Sequence, residues 1–100
     1  MANTTIDTIA PEKLKKYFSI TKLALEKAKH SIPEKTHLRN AADDFLDMAR
    51  RYLSDAEHFE KKGDMVTAFA ALNYAHGWLD AGARLGLFDV NHDSELFTVE

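Results

Sequence analysis

Between Leu38 and Phe59 the apolar residues recur at alternating spacings of four and three: Leu38, Ala42, Phe45, Ala49, Tyr52, Ala56, Phe59. At about 100° per residue these positions share one stripe of an α-helix. A strand, with its period of two, does not produce this spacing. Leu46 and Leu53 widen the stripe on one flank, and Ala41 and Met48 on the other. Asn40, Asp43, Asp47, Arg51, Ser54, His58 and Lys61 occupy the opposite face. Asp47 with Arg51, and Glu57 with Lys61, stand four apart and suit weak ion pairing along the helix. Ser31 and Glu34 have the spacing of a capping box. The pattern therefore predicts a helix near residues 34–62, with a start possible from Ile32.

Two further periodic segments flank this one. Leu14, Tyr17, Phe18, Thr21, Ala24, Leu25 and Ala28 form a stripe behind Pro11, which predicts a helix over 11–29. Leu23 falls on its wrong side. From Asp64 to Leu85, Ala68, Leu72, Ala75 and Leu79 make one band, flanked by Gly82 and Ala83. Ala71, Tyr74, Trp78 and Leu85 make a second, adjoining band. Only Asn73, Asp80 and Arg84, with Gly77 among them, are left as a polar stripe, and a helix this apolar must be covered on most sides. Gly77 and Gly82 each cost about 1 kcal/mol relative to alanine inside a helix, so packing has to offset them.

Gly63-Asp64 reads as a corner. The glycine closes one helix in the left-handed conformation, and the aspartate caps the next. A link this short turns the chain back antiparallel. The whole of residues 1–100 thus reads as one all-α domain, a closed up-and-down three-helix bundle with a short extended C-terminal tail over 86–100. Leu87-Phe88-Asp89-Val90 is expected to lie across the second apolar band of the third helix.

Composition fits this picture. Hydrophobic residues make up 45% and charged residues 29% of the chain, enough apolar content for a single core. Cysteine is absent, which removes disulfides, thiolate chemistry and cysteine-ligated metals. The opening residues lack the layout of a signal peptide, and no apolar run approaches the roughly 20 residues of a membrane span, so a cytoplasmic address without membrane contact is expected. The net charge of −3 is uneven: residues 1–50 carry nine Lys/Arg against seven Asp/Glu, and residues 51–100 carry four against nine. A basic first helix beside acidic neighbours accounts for this. The positive excess is too small to point to nucleic acid.

Candidate chemistry is sparse. Asp55, His58, His76 and Asp80 are the residues from which a metal site would be built, since Asp55-x-x-His58 and His76-x-x-x-Asp80 each project from one side of a helix. The wheel nonetheless turns His58 towards solvent, and the paired Glu-x-x-His motifs of carboxylate di-iron bundles are missing. His76 lies at the edge of an apolar band, where a neutral ring bonded to Asp80 or a backbone carbonyl is the structural reading and a proton-transfer group the catalytic one. Arg51 and His58, with six residues between them, fit the loosest form of the Arg-x(4–6)-His motif of HEPN-type ribonucleases. Tyr52 and Asp55 face Asn73, Tyr74 or His76 across the hairpin, as a hydrogen-bonded network or as the floor of a pocket. No phosphate loop or catalytic triad is present, and no cofactor is expected.

From Tyr52 to Val90 the chain resembles the archaeal family known as domain of unknown function 357. The residues that carry the likeness are Tyr52, Asp55, Ala56 and Phe59, then Gly63-Asp64, Tyr74-Ala75, Gly77, Leu79-Asp80-Ala81 and Leu85-Gly86. Pro11-Glu12-Lys13-Leu14 is similar to that family's start. The resemblance implies a three-helix bundle of archaeal source and no particular activity. The surplus apolar surface favours a non-enzymatic interaction module, with Leu23, Tyr74, Trp78, Leu85 and Phe88 meeting a protein partner or a second copy. The alternative is a small catalytic or metal-dependent domain built on the histidine and carboxylate residues above.

Overall fold

The computed structural model describes residues 8–30, 38–90 and 95–97. Its regular structure consists of three helices, α1 (Pro11–Lys29), α2 (Arg39–Lys61) and α3 (Met65–Arg84). Pro11 stands at the first turn of α1, where its missing N–H costs nothing. Glu12 in the first turn and Lys27 and Lys29 in the last complement the helix dipole.

α2 begins later than the expected residue 34, with Leu38 as its N-cap. Ala42 is its first buried position. The Ser31–Glu34 capping box lies outside the described residues.

Both α2 and α3 end in the same way. Gly63 and Gly86 have φ of +81° and +79°, where L side chains are strained. The N–H of Gly63 bonds to Glu60 O at 3.0 Å, and that of Asp64 to Phe59 O at 2.9 Å. The N–H of Gly86 bonds to Ala83 O at 3.1 Å, and that of Leu87 to Gly82 O at 2.8 Å. Each set is a Schellman motif that satisfies the last carbonyls of its helix. Asp64 then caps α3, its Oδ1 accepting the Thr67 N–H at 3.1 Å. Hydrogen bonding from the Thr67 side chain, and then from its N–H, holds the carboxyl below the usual aspartate range.

The core has two parts. At one end Leu14 and Phe18 of α1 meet Leu53 and Ala56 of α2 and Ala68, Ala71 and Leu72 of α3. At the other, Ala24 and Ala28 meet Ala42, Leu46, Ala49 and Leu79. The start of α1 thus lies with the end of α2 and the start of α3, the up-down-up order of an antiparallel bundle. Packing is most extensive between α2 and α3. Lys22 of α1 reaches Glu57 of α2 at 3.8 Å, one contact between the basic helix and its acidic neighbour. Arg51 pairs with Asp47 at 3.0 Å, as their spacing predicts.

The alanine-rich end is completed by the tail. Leu87, Phe88, Val90 and Phe97 are buried there. They fill the space that four small α1 and α2 side chains leave, instead of lying across the second apolar band of α3. Gly82 makes room for this, because a β-carbon at that position would run into the Phe88 ring. Among the described residues, no helix is long and apolar enough to cross a membrane.

Candidate functional site

The titratable candidates separate into two places. His76 faces the tail: its Nε2 donates to the Leu96 carbonyl at 2.5 Å, and its Nδ1 lies 3.3 Å from Asp80 Oδ2. Its ring is stacked near that of Phe97, with centroids 6.4 Å apart. The two contacts join His76 to Asp80 on the same helix and to a tail carbonyl 20 residues further along the chain.

Asp55 and His58 are exposed on α2, and the His58 ring rests against its neighbour Phe59 at 5.5 Å. Among the described residues, no group of three or more histidines and carboxylates is placed to hold a metal. Asp55, His58, His76 and Asp80 therefore do not form one cluster. Arg51 is exposed and held by Asp47.

A concave feature lies elsewhere, along the outer seam of α2 and α3. Here an open groove of about 640 Å³ runs beside α3. Its walls are Tyr52 of α2 and Tyr74 and Trp78 of α3, its floor is Ala70, Gly77 and Ala81, and Asn73 stands at the rim. The tyrosines stack at 5.2 Å with 18° between planes. Trp78 is braced edge-on by Phe45 at 5.0 Å. Stacking and T-shaped contacts of this kind hold ring orientations that area burial alone does not specify. The rings are thus preset, and the groove between them is lined mainly by carbon.

The residues expected to form an interaction surface divide accordingly. Tyr74 on α3 is 63% exposed and Leu85, its C-cap, 67%, and Trp78 is half-buried in the groove wall. Leu23 is 57% exposed, on α1. Phe88 is a correction: at 1% exposure it is sealed into the core beside Gly82 and presents nothing to a partner. Leu87, Val90 and Phe97 of the tail are likewise buried.

Sequence reasoning placed Tyr52 opposite Tyr74 but missed the groove floor. The available signal was Ala70, Gly77 and Ala81, small residues at a spacing of seven and four on one face of an otherwise apolar helix.

A search of curated proteins and of solved structures returned no match. The family model described as "Protein of unknown function (DUF357)" matches residues 16–88, a span that runs from the first helix to Phe88 in the core. The chain therefore belongs to the DUF357 family.

Proposed function

We propose that this protein is a non-enzymatic interaction module that receives a helical protein segment in the groove along α2 and α3. The observation that carries this reading is the groove itself, an open channel with aromatic walls and a floor of small residues. Ligand sites for small molecules enclose most of their occupant. An open apolar channel parallel to a helix suits an amphipathic helix laid into it. Exposed Val66 on α3 and exposed Leu85, its C-cap, continue the apolar surface on either side of the groove residues. An uncovered apolar face of this extent is the usual mark of a protein-binding surface.

Site-specific photocrosslinking tests the reading. Benzoylphenylalanine placed at Asn73, on the groove rim, is expected to form an adduct with a second polypeptide in extract of the source cells. The same group at Lys16, exposed on α1, is expected to form none. Gly77→Lys, which puts a charge on the groove floor, should abolish the Asn73 adduct. No adduct at Asn73, or equal labelling from both positions, overturns it.

A further inference from the structure

We infer that the occupant of the groove is the same face of a second copy, with two α2–α3 hairpins packed antiparallel about a twofold axis that passes beside Gly77 and Trp78. The inference rests on the interaction reading above and adds the identity and register of the partner.

The first support is steric self-complementarity. Along the exposed face of α3 large and small residues alternate: Ala70, Tyr74, Gly77, Trp78, Ala81, Leu85. An antiparallel copy that sets Trp78 over Gly77 of the second copy also sets Tyr74 over its Ala81 and Leu85 over its Ala70. Every large side chain then meets a small one. Gly77 gains a reason in this arrangement. Within the protomer, nothing lies within 4 Å of where its β-carbon would be, so the helix carries the cost of an interior glycine without any internal packing that needs it.

The second support is charge. Between Ala70 and Ala81 the stripe carries no ionisable side chain, so burial of that stretch leaves no unpaired charge, and exposed Arg84, seven residues beyond Gly77, stands at its end. On α2 the Tyr52–Tyr74 stack and the Phe45–Trp78 contact fix the level of the two helices. The same axis then brings α2 of each copy alongside the other. Asp44 comes within about one residue of the level of Arg51 of the second copy, and the pairing repeats by symmetry. Both residues are exposed at the outer rim of α2. Opposite charges at a rim steer and register an interface.

The third support is area. The 20 residues of α3 span about 30 Å, and with α2 alongside the face is about 20 Å wide, roughly 600 Å² in plan. The corrugated accessible area over such a plan is on the order of the ~800 Å² per partner of a standard interface. The joined hairpins amount to an antiparallel four-helix bundle, in which each helix gains the neighbour its outer stripe lacks.

The full chain is to be examined by sedimentation equilibrium and by engineered crosslinking, for which the natural absence of cysteine is convenient. A concentration-dependent dimer is expected, weakened at least about tenfold by Gly77→Leu while far-UV circular dichroism stays helical. The double variant Ala70→Cys, Leu85→Cys should oxidise to a covalent dimer. Its two cysteines are about 22 Å apart within one helix, so they pair only between copies, and each single variant should fail to crosslink in this register. A monomer at all concentrations, or a dimer that resists Gly77→Leu and does not crosslink through residues 70 and 85, overturns the inference. If the chain is monomeric while Asn73 still labels a different polypeptide, the second copy is wrong and the interaction module stands. If neither forms, both fall.

Discussion

Gly77 and Gly82 lie five residues apart on the same helix and cost it the same helical propensity, but their surroundings differ. Gly82 faces inward, and the Phe88 ring occupies the space its missing side chain leaves. Gly77 faces outward onto the groove floor, with no protein atom within 4 Å of where a β-carbon would stand. The inner glycine is explained by a contact within the protomer. The outer one has the same shape of vacancy with nothing from this protomer in it. The comparison teaches that α3 has two packing faces of similar make, one closed by the chain's own tail and the other left open.

Emptying the inner face should produce the largest effect. Phe88→Ala removes a fully buried ring and is expected to cost about 3–5 kcal/mol in urea unfolding. Gly82→Ala, which drives a methyl into that ring, should cost about 1–3 kcal/mol through overpacking. Part of that loss should return in the Phe88→Leu background, a coupling that a double-mutant cycle measures directly. If the two substitutions prove additive, Gly82 is not there for Phe88 and the comparison breaks.

His76→Ala should follow at about 1–2 kcal/mol, from the lost hydrogen bond to Leu96 and looser packing of Phe97. Faster amide exchange confined to the tail would locate the effect. Asp64→Ala at the N-cap of α3 should give the smallest loss, and one that depends on pH. The folded carboxyl is held below its usual value of about 3.9, so its contribution is full above the unfolded pKa and disappears as pH falls through the folded one. Unfolding curves of wild type and variant should therefore converge in acid.

The helices were readable because burial repeats with the helical period. α1 occupies its expected span, and the Gly63-Asp64 corner is where glycine at C′ and aspartate at the N-cap belong. The beginning of α2 was less readable, since Glu34, Lys35, Thr36 and His37 carry no apolar period to extend the stripe. Nor did the tail reveal its destination. Leu87, Phe88 and Phe97 follow no repeat, and their contacts with Ala24, Ala42 and Gly82 are set by the three-dimensional gap that small residues leave on separate helices. For the groove, the wheel brought out Tyr52 and Tyr74, whereas the floor emerged only once α1 was seen to cover the opposite side of α3. The four metal candidates do not form one cluster for a related reason. Asp55 and His58 are exposed on α2 while His76 of α3 reaches Leu96 of the tail, and spacing along one helix says nothing about the rotation of the next.

The central claim, that the outer face of α3 is shaped for an occupant and not for the isolated fold, is tested most directly by Gly77→Ala, measured both for stability and for association. In dilute solution, where the protomer stands alone, the account predicts stabilisation of up to about 1 kcal/mol from the improved helix former. At high concentration it predicts weaker dimerisation by the same variant, because the methyl holds the two helices apart. A Gly77→Ala protomer less stable than wild type, or one that associates as well as wild type, would contradict it.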